Sequence, residues 1–157
     1  MRRLIKFLHS IGAIWMMGAM ACLLVLLALL PEPTRLMDYA SMRAAMAAIA
    51  GRILLPSLTL VAGLLAMAAT SAYRNAGWAL IKLATGVLVF EAGFAGVVGP
   101  MQDEAERSAA ALAGTDTAAM ASLAQTLSAE TGTSRVLMAI AALNVALGVW
   151  RPRLRKA

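Results

Sequence analysis

The side chains best suited to chemistry in this chain lie on one face of its first apolar stretch. His9 is the single histidine among 157 residues, and Met16 and Met20 follow it by seven and eleven positions. At about 100° per residue of α-helix, both thioethers fall within about 20° of the face that carries the imidazole. Imidazole binds metals and haem iron, and thioethers suit soft Cu(I). The pattern predicts His9 as a ligand of haem or of a metal, with Met16 and Met20 as further metal ligands.

Four more polar residues lie within or beside apolar stretches, where charged groups are costly and usually functional. Lys82 lies about as far into the third stretch as His9 lies into the first. Glu91 and Asn144 are predicted to share a level nearer the opposite end, with Arg52 at the outer mouth as a partner for Glu91. We predict Glu91, Asn144 and Arg52 as polar groups buried in the membrane, and Lys82 as a partner for a haem propionate or another anion.

The same residues also allow purely structural interpretations. Lys82 can extend its ammonium group to the lipid headgroups. His9 can form a hydrogen bond with a backbone carbonyl, and methionine commonly fills space between helices. Glu91 can be a neutral group that is hydrogen-bonded to Asn144. The sequence leaves these alternatives open.

Four apolar stretches must position these side chains, at about 4–30, 53–73, 78–99 and 135–150. About 20 apolar residues of helix cross a hydrocarbon core of about 30 Å. The first stretch is too long for a signal peptide and lacks a small-x-small cleavage site before Pro31. Segment 35–52 has a helical pattern that lies in the interface or leads into the second span. Gly99 and Pro100 are predicted to end the third stretch, and the polar segment 101–134 is predicted to contain a short helix over 102–113. We predict an all-α fold, with residues 1–157 forming one up-down bundle of four transmembrane helices and an extracytoplasmic helical loop.

Composition and charge support a membrane location. Hydrophobic residues make up 61% of the chain and charged residues 14%, against about 45–50% and 25% in ordinary soluble domains. The net charge of +6 comes largely from the ends of the apolar stretches, where it orients a protein in a membrane rather than binding nucleic acid. Lysine and arginine are more numerous on the side of both termini. We therefore expect both termini in the cytoplasm of a bacterial inner membrane, with lipid and a homo-oligomer or membrane-protein partner as neighbours.

The sequence contains no nucleotide-binding loop, catalytic triad, metalloprotease helix or paired carboxylate site. A single cysteine, Cys22, excludes a disulfide framework and a cysteine-rich metal site. Ser57 and Thr59 have no second histidine to activate them, because His9 is the only one. The sequence therefore favours a function without hydrolytic chemistry.

Short motifs accompany the four-span plan. They are Leu8-His9, Trp15 and Gly18 on the first stretch, and Trp78-Ala79-Leu80-Ile81-Lys82-Leu83 at the start of the third. With them the chain resembles a small four-span bacterial membrane family of unassigned function. That family is similar to the copper-resistance D (CopD) membrane domain and, more distantly, to the HemJ-type protoporphyrinogen oxidase. The resemblance implies that His9 is the first-helix histidine, a haem ligand in HemJ-like proteins, and that Lys82 is the third-helix lysine.

Three functions are compatible with these observations. The first is a multi-pass inner-membrane protein that binds haem b or a metal such as copper through His9, with Lys82 beside the anionic groups of the ligand. The second is a CopD-like permease for copper or another small solute, which uses Met16, Met20 and the level of Glu91 and Asn144. The third is a non-catalytic subunit or assembly factor of a membrane complex.

Overall fold

In a computed structural model, residues 2–71, 77–114 and 117–150 are described, and all regular structure among them is helical. Within these ranges the side chains of 2–3, 5–6, 64–71, 77–82, 117–119 and 147–150 are not described. The seven α-helices are α1 (Arg2–Ala28), α2 (Leu36–Ile49), α3 (Leu55–Ser71), α4 (Gly77–Gly93), α5 (Gly99–Leu112), α6 (Thr117–Ser122) and α7 (Leu127–Trp150). The predicted all-α fold is confirmed for this part of the chain.

Two long helical rods form the centre of the fold. A π-helical turn, Ala50–Leu54, joins α2 to α3 without a break, and a second, Phe94–Val98, joins α4 to α5. Each rod, 36–71 and 77–112, is therefore about 54 Å long at 1.5 Å per residue. Segment 35–52 leads directly into the second apolar stretch, which is one of the two predicted alternatives.

The second rod differs from the sequence prediction at Gly99 and Pro100. The glycine–proline pair was expected to end the third span, with a separate short helix over 102–113. Instead, α5 begins at Gly99 and has Pro100 within its first turn. Pro100 lacks the N–H that a continuous helix would use. The π-turn that precedes it supplies the local change of geometry that lets the rod continue past this residue.

The rods run antiparallel, so that α2 packs against α5 and α3 against α4, while α1 and α7 cover the same hairpin. One apolar core runs through the bundle. It includes Met20, Leu23, Leu54 and Val97, each at most 1% exposed. Close packing is supported by glycine: a Cβ added at Gly96 would lie 2.8 Å from Cγ2 of Thr133. This glycine thus allows the second π-turn to approach α7 closely.

Among the residues that the structure describes, three stretches of helix are long enough and apolar enough to cross a membrane: Phe7–Ala28, Leu36–Gly63 and Leu83–Leu112. They overlap the first three predicted spans, although the second and third extend beyond the predicted ends into α2 and α5. The fourth predicted span, 135–150, lies in α7 and stays a prediction.

Candidate functional site

A cavity of about 380 Å³ lies between α1, α3, α4 and α7. Apolar side chains form most of its wall, including Leu58 of α3 and Val89 of α4. Polar groups are few, namely His9 and Ser10 of α1 and Asn144 of α7. The cavity is partly open rather than enclosed. Few polar groups in an apolar cleft are typical of a site for a small, mostly apolar ligand.

The bundle brings some of the predicted ligands to this cavity and not others. His9 and Met16 both line it, and Met16 is 5% exposed. Met20 is 1% exposed and belongs to the packed core instead of the lining. Met17, which the sequence analysis did not select, also lines the cavity. The residues seven and eight positions after His9 therefore both line the cavity, because its wall is wider than a single row of side chains on α1.

Asn144 lies in the cavity wall beside α4 rather than beside Glu91. The Thr85 Oγ1 hydroxyl donates a hydrogen bond to Asn144 Oδ1 at 3.2 Å. Glu91 is six residues further along α4, about 9 Å at the helical rise. The predicted common level of Glu91 and Asn144 is therefore not found. That level was counted from Gly99 as a helix end, whereas the helix continues past Pro100.

The remaining predicted site residues have different positions. Glu91 and Arg52 have side chains exposed on the surface of the chain, and their location within the membrane stays a prediction. Lys82 lies in α4, but its side chain is outside the described residues. No group of three or more His, Cys, Asp and Glu side chains that could hold a metal ion is found among the residues that the structure describes.

A second polar site, which was not predicted from the sequence, lies where α2, α5 and α7 meet. Arg43 of α2 and Glu104 of α5 are 0% exposed, and Glu130 of α7 is 1% exposed. Arg43 Nη1 donates to Glu130 Oε2 at 2.6 Å, and Arg43 Nη2 is 3.9 Å from Glu104 Oε1. We call Tyr39, Arg43, Glu104 and Glu130 the buried charge cluster.

Neutral donors also bind the two carboxylates, each through its Oε1 atom, and Arg107 Nη1 lies 3.7 Å from Glu104 Oε2. Tyr39 donates its hydroxyl proton to Glu104 Oε1 at 2.5 Å and accepts a hydrogen bond from Arg43 Nε at 3.1 Å. The Thr126 hydroxyl donates to Glu130 Oε1 at 2.5 Å. The backbone N–H of Ala124, a residue in the left-handed conformation with φ of 62°, donates to Glu104 Oε1 at 2.6 Å. The cluster thus fixes the turn before α7 against α2 and α5.

A sequence signal for this cluster existed in the spacing of its members. Tyr39 and Arg43 are four residues apart, so they share one face of α2. Glu130 and the buried Ser134 repeat that spacing on α7. Arg43 was counted with the charges that orient the protein, and the glutamates with the polar loop. Only the packing of three helices shows that all three charges are inside the protein.

Removing the Tyr39 hydroxyl tests the cluster with almost no change of shape. Tyr39→Phe deprives Glu104 of a donor and Arg43 of an acceptor in a buried site, so we expect the free energy of unfolding to fall by about 1–3 kcal/mol. Reversible unfolding in mixed SDS micelles, followed by circular dichroism, measures the loss. Ser41→Ala on the exposed side of α2 is the matched control, with an expected change within about 0.5 kcal/mol. Equal stabilities of the two variants would contradict this description of Tyr39.

In the described part of the chain the fold is all-helical, and three of its helical stretches are compatible with crossing a membrane. Comparison of the chain with protein families, with curated proteins and with solved structures finds no match. The function must therefore be inferred from the cavity and its residues.

Proposed function

We propose that the chain is a four-span protein of a bacterial inner membrane, with both termini in the cytoplasm, that binds haem in the cavity through His9. The length of the rods supports the membrane arrangement. A helix of about 54 Å exceeds a hydrocarbon core of about 30 Å, so part of each rod must project from it. The projecting parts are α2 and α5, which carry most of the charges of the rods. The first three spans then cross through α1, α3 and α4, and the fourth through 135–150.

The single observation that carries the ligand proposal is the position of His9 in the wall of a mostly apolar cavity. The volume of about 380 Å³ lies in the range of organic-ligand pockets, about 300–1,000 Å³. It is far larger than the space that one metal ion needs. An apolar wall with one imidazole fits a porphyrin ring with a single axial ligand, and the open side accommodates the rest of a large ligand.

The chain's own residues have separate tasks in this proposal. His9 holds the iron, while the aliphatic wall of Leu58, Val61 and Val89 excludes water from the ring. Lys82, four residues before the cavity residue Gly86 on α4, pairs with a propionate near the cytoplasmic surface. Bound haem would supply a redox-active iron.

An absorption spectrum tests the proposal directly. Protein made with added haem and purified in detergent is expected to show a Soret band, and His9→Ala is expected to lose it. Ala13→Phe, which fills the cavity one turn from His9, is expected to weaken the band without removing the ligand. Trp15→Phe changes an exposed side chain outside the cavity and serves as the control, with an unchanged Soret band. A colourless wild-type protein after haem addition would refute the proposal.

Copper binding is the second candidate, and the methionines of the core favour it. Met16 and Met17 line the cavity beside His9, while Met20, Met46 and Met101 belong to the same packed core. Thioethers are ligands of Cu(I). Metal analysis distinguishes the two candidates, because Met16→Leu is expected to reduce bound copper but to leave a Soret band unchanged. A protein without haem and without copper would instead favour a structural role in a membrane complex.

A further inference from the structure

An exposed carboxyl group lies on the outer face of α4. Glu91 is exposed there together with the apolar side chains of Val87, Leu88 and Phe94, which are 49%, 54% and 48% exposed. All four belong to Leu83–Leu112, a stretch that can cross a membrane. A carboxylate that faces lipid is costly, and intramembrane charges are almost always paired. Among the residues that the structure describes, Glu91 forms no salt bridge.

An exposed guanidinium group lies on the neighbouring helix. Arg135 of α7 is exposed beside Val136, whose side chain is 58% exposed. It too forms no salt bridge within the described part of the chain. The outer face of α7 also carries small exposed residues. Gly132 has no atom within 4 Å of a Cβ built on it, and Ala139 and Ala142 are exposed. Small residues allow another helix to approach closely in a membrane.

The register of α4 and α7 gives the relative depth of the two charges. Thr85 contacts Asn144, and Gly96 lies against Thr133, so the helices run antiparallel in one constant register. In this register Glu91 lies opposite residue 138. Arg135 is therefore only three residues away along the axis, about 5 Å, which the long arginine side chain can span.

We propose that this face is the interface of a symmetric dimer, in which Glu91 pairs with Arg135 of the partner subunit. A two-fold axis along the membrane normal keeps every residue at its own depth. It places α4 of each copy against α7 of the other, so that the same ion pair forms twice. The two opposite charges on one surface make it self-complementary, which argues for a second copy as the occupant. The dimer goes beyond the proposed haem function and does not depend on it.

Energy transfer between labelled copies tests the dimer in a bilayer. Cys22 is the only cysteine but lies within the span Phe7–Ala28. Cys22→Ser is therefore combined with Ser41→Cys on the exposed side of α2, which gives one accessible thiol, and so one dye, per chain. Donor-labelled and acceptor-labelled protein are combined in phosphatidylcholine vesicles and diluted with lipid. We expect the wild type to show energy transfer beyond that of random proximity. Glu91→Arg and Arg135→Glu are each expected to raise the dissociation constant of the dimer at least tenfold, and the combined reversal is expected to restore it.

Arg52→Glu is the control, since Arg52 is an exposed arginine outside this face, and it is expected to leave the dissociation constant unchanged. Circular dichroism establishes that each variant keeps its helical content. The proposal is overturned if the wild type is monomeric at every dilution, or if single reversals leave association intact. It is also overturned if the combined reversal fails to restore association, which would favour lipid headgroups or another protein as the partner of these charges.

Discussion

Replacing Arg43 by methionine is expected to lower the free energy of unfolding by about 3–5 kcal/mol. The substitution removes the one buried cation between Glu104 and Glu130, which are 0% and 1% exposed. Two carboxylates would then remain in a site of low polarity without their shared guanidinium. Methionine is chosen because it fills a similar length of space, so that most of the loss reports charge rather than volume. Reversible unfolding in mixed SDS micelles measures the change.

Arg35→Met is the matched control for this substitution. Arg35 pairs with Asp38 on the same helix, but the two side chains are 70% and 52% exposed, and exposed pairs contribute about 0–1 kcal/mol. Adding Glu104→Gln and Glu130→Gln to Arg43→Met removes both buried carboxylate charges but keeps an oxygen to accept hydrogen bonds from Tyr39 and Thr126. We expect this combination to recover much of the loss. A cost for Arg43→Met no larger than that for Arg35→Met would refute the role assigned to the cluster.

Leu23→Ala is expected to lower the free energy of unfolding by about 2–5 kcal/mol. Leu23 of α1 is 0% exposed and belongs to the central core. Lipid is as apolar as the core, so little of this cost comes from transfer out of water. Most of it comes from the cavity and from the dispersion contacts that the surrounding side chains lose.

Leu4→Ala provides the comparison on the same helix. Leu4 is 60% exposed, so its removal creates no internal cavity, and we expect a loss below about 0.5 kcal/mol. The same unfolding measurement applies to both variants. If Leu23→Ala and Leu4→Ala lower the free energy of unfolding equally, the packing of α1 against the two rods is not as the structure describes it.

The sequence pattern was most informative about which segments of the chain form helices. It predicted the all-helical fold, because long apolar runs without breaks must satisfy their backbone groups internally in a membrane. It also selected His9 and Met16, both of which line the cavity. The pattern was less informative about where each helix ends. Gly99 and Pro100 resemble a helix end, but a π-turn before the first turn of α5 allows the rod to continue.

Contacts between two helices depend on how each helix is rotated about its axis and on which residues lie opposite one another. The periodicity of one helix specifies neither. Asn144 was assigned to Glu91 by counting depth, but the register of α4 and α7 gives it Thr85 instead. Met20 shares a helical face with His9, yet the neighbouring helices place it in the core. A shift of a few residues between antiparallel helices is enough to exchange such partners.

The sequence by itself determined that this chain forms long apolar helices and that its one imidazole lies near the end of the first. The tertiary structure alone decided which polar groups are buried. Arg43, Glu104 and Glu130 are 87 positions apart at their extremes, and each looks like an ordinary surface charge in its own segment. They leave solvent only because α2, α5 and α7 meet around them. Burial is a property of several helices together, so no single segment can reveal it.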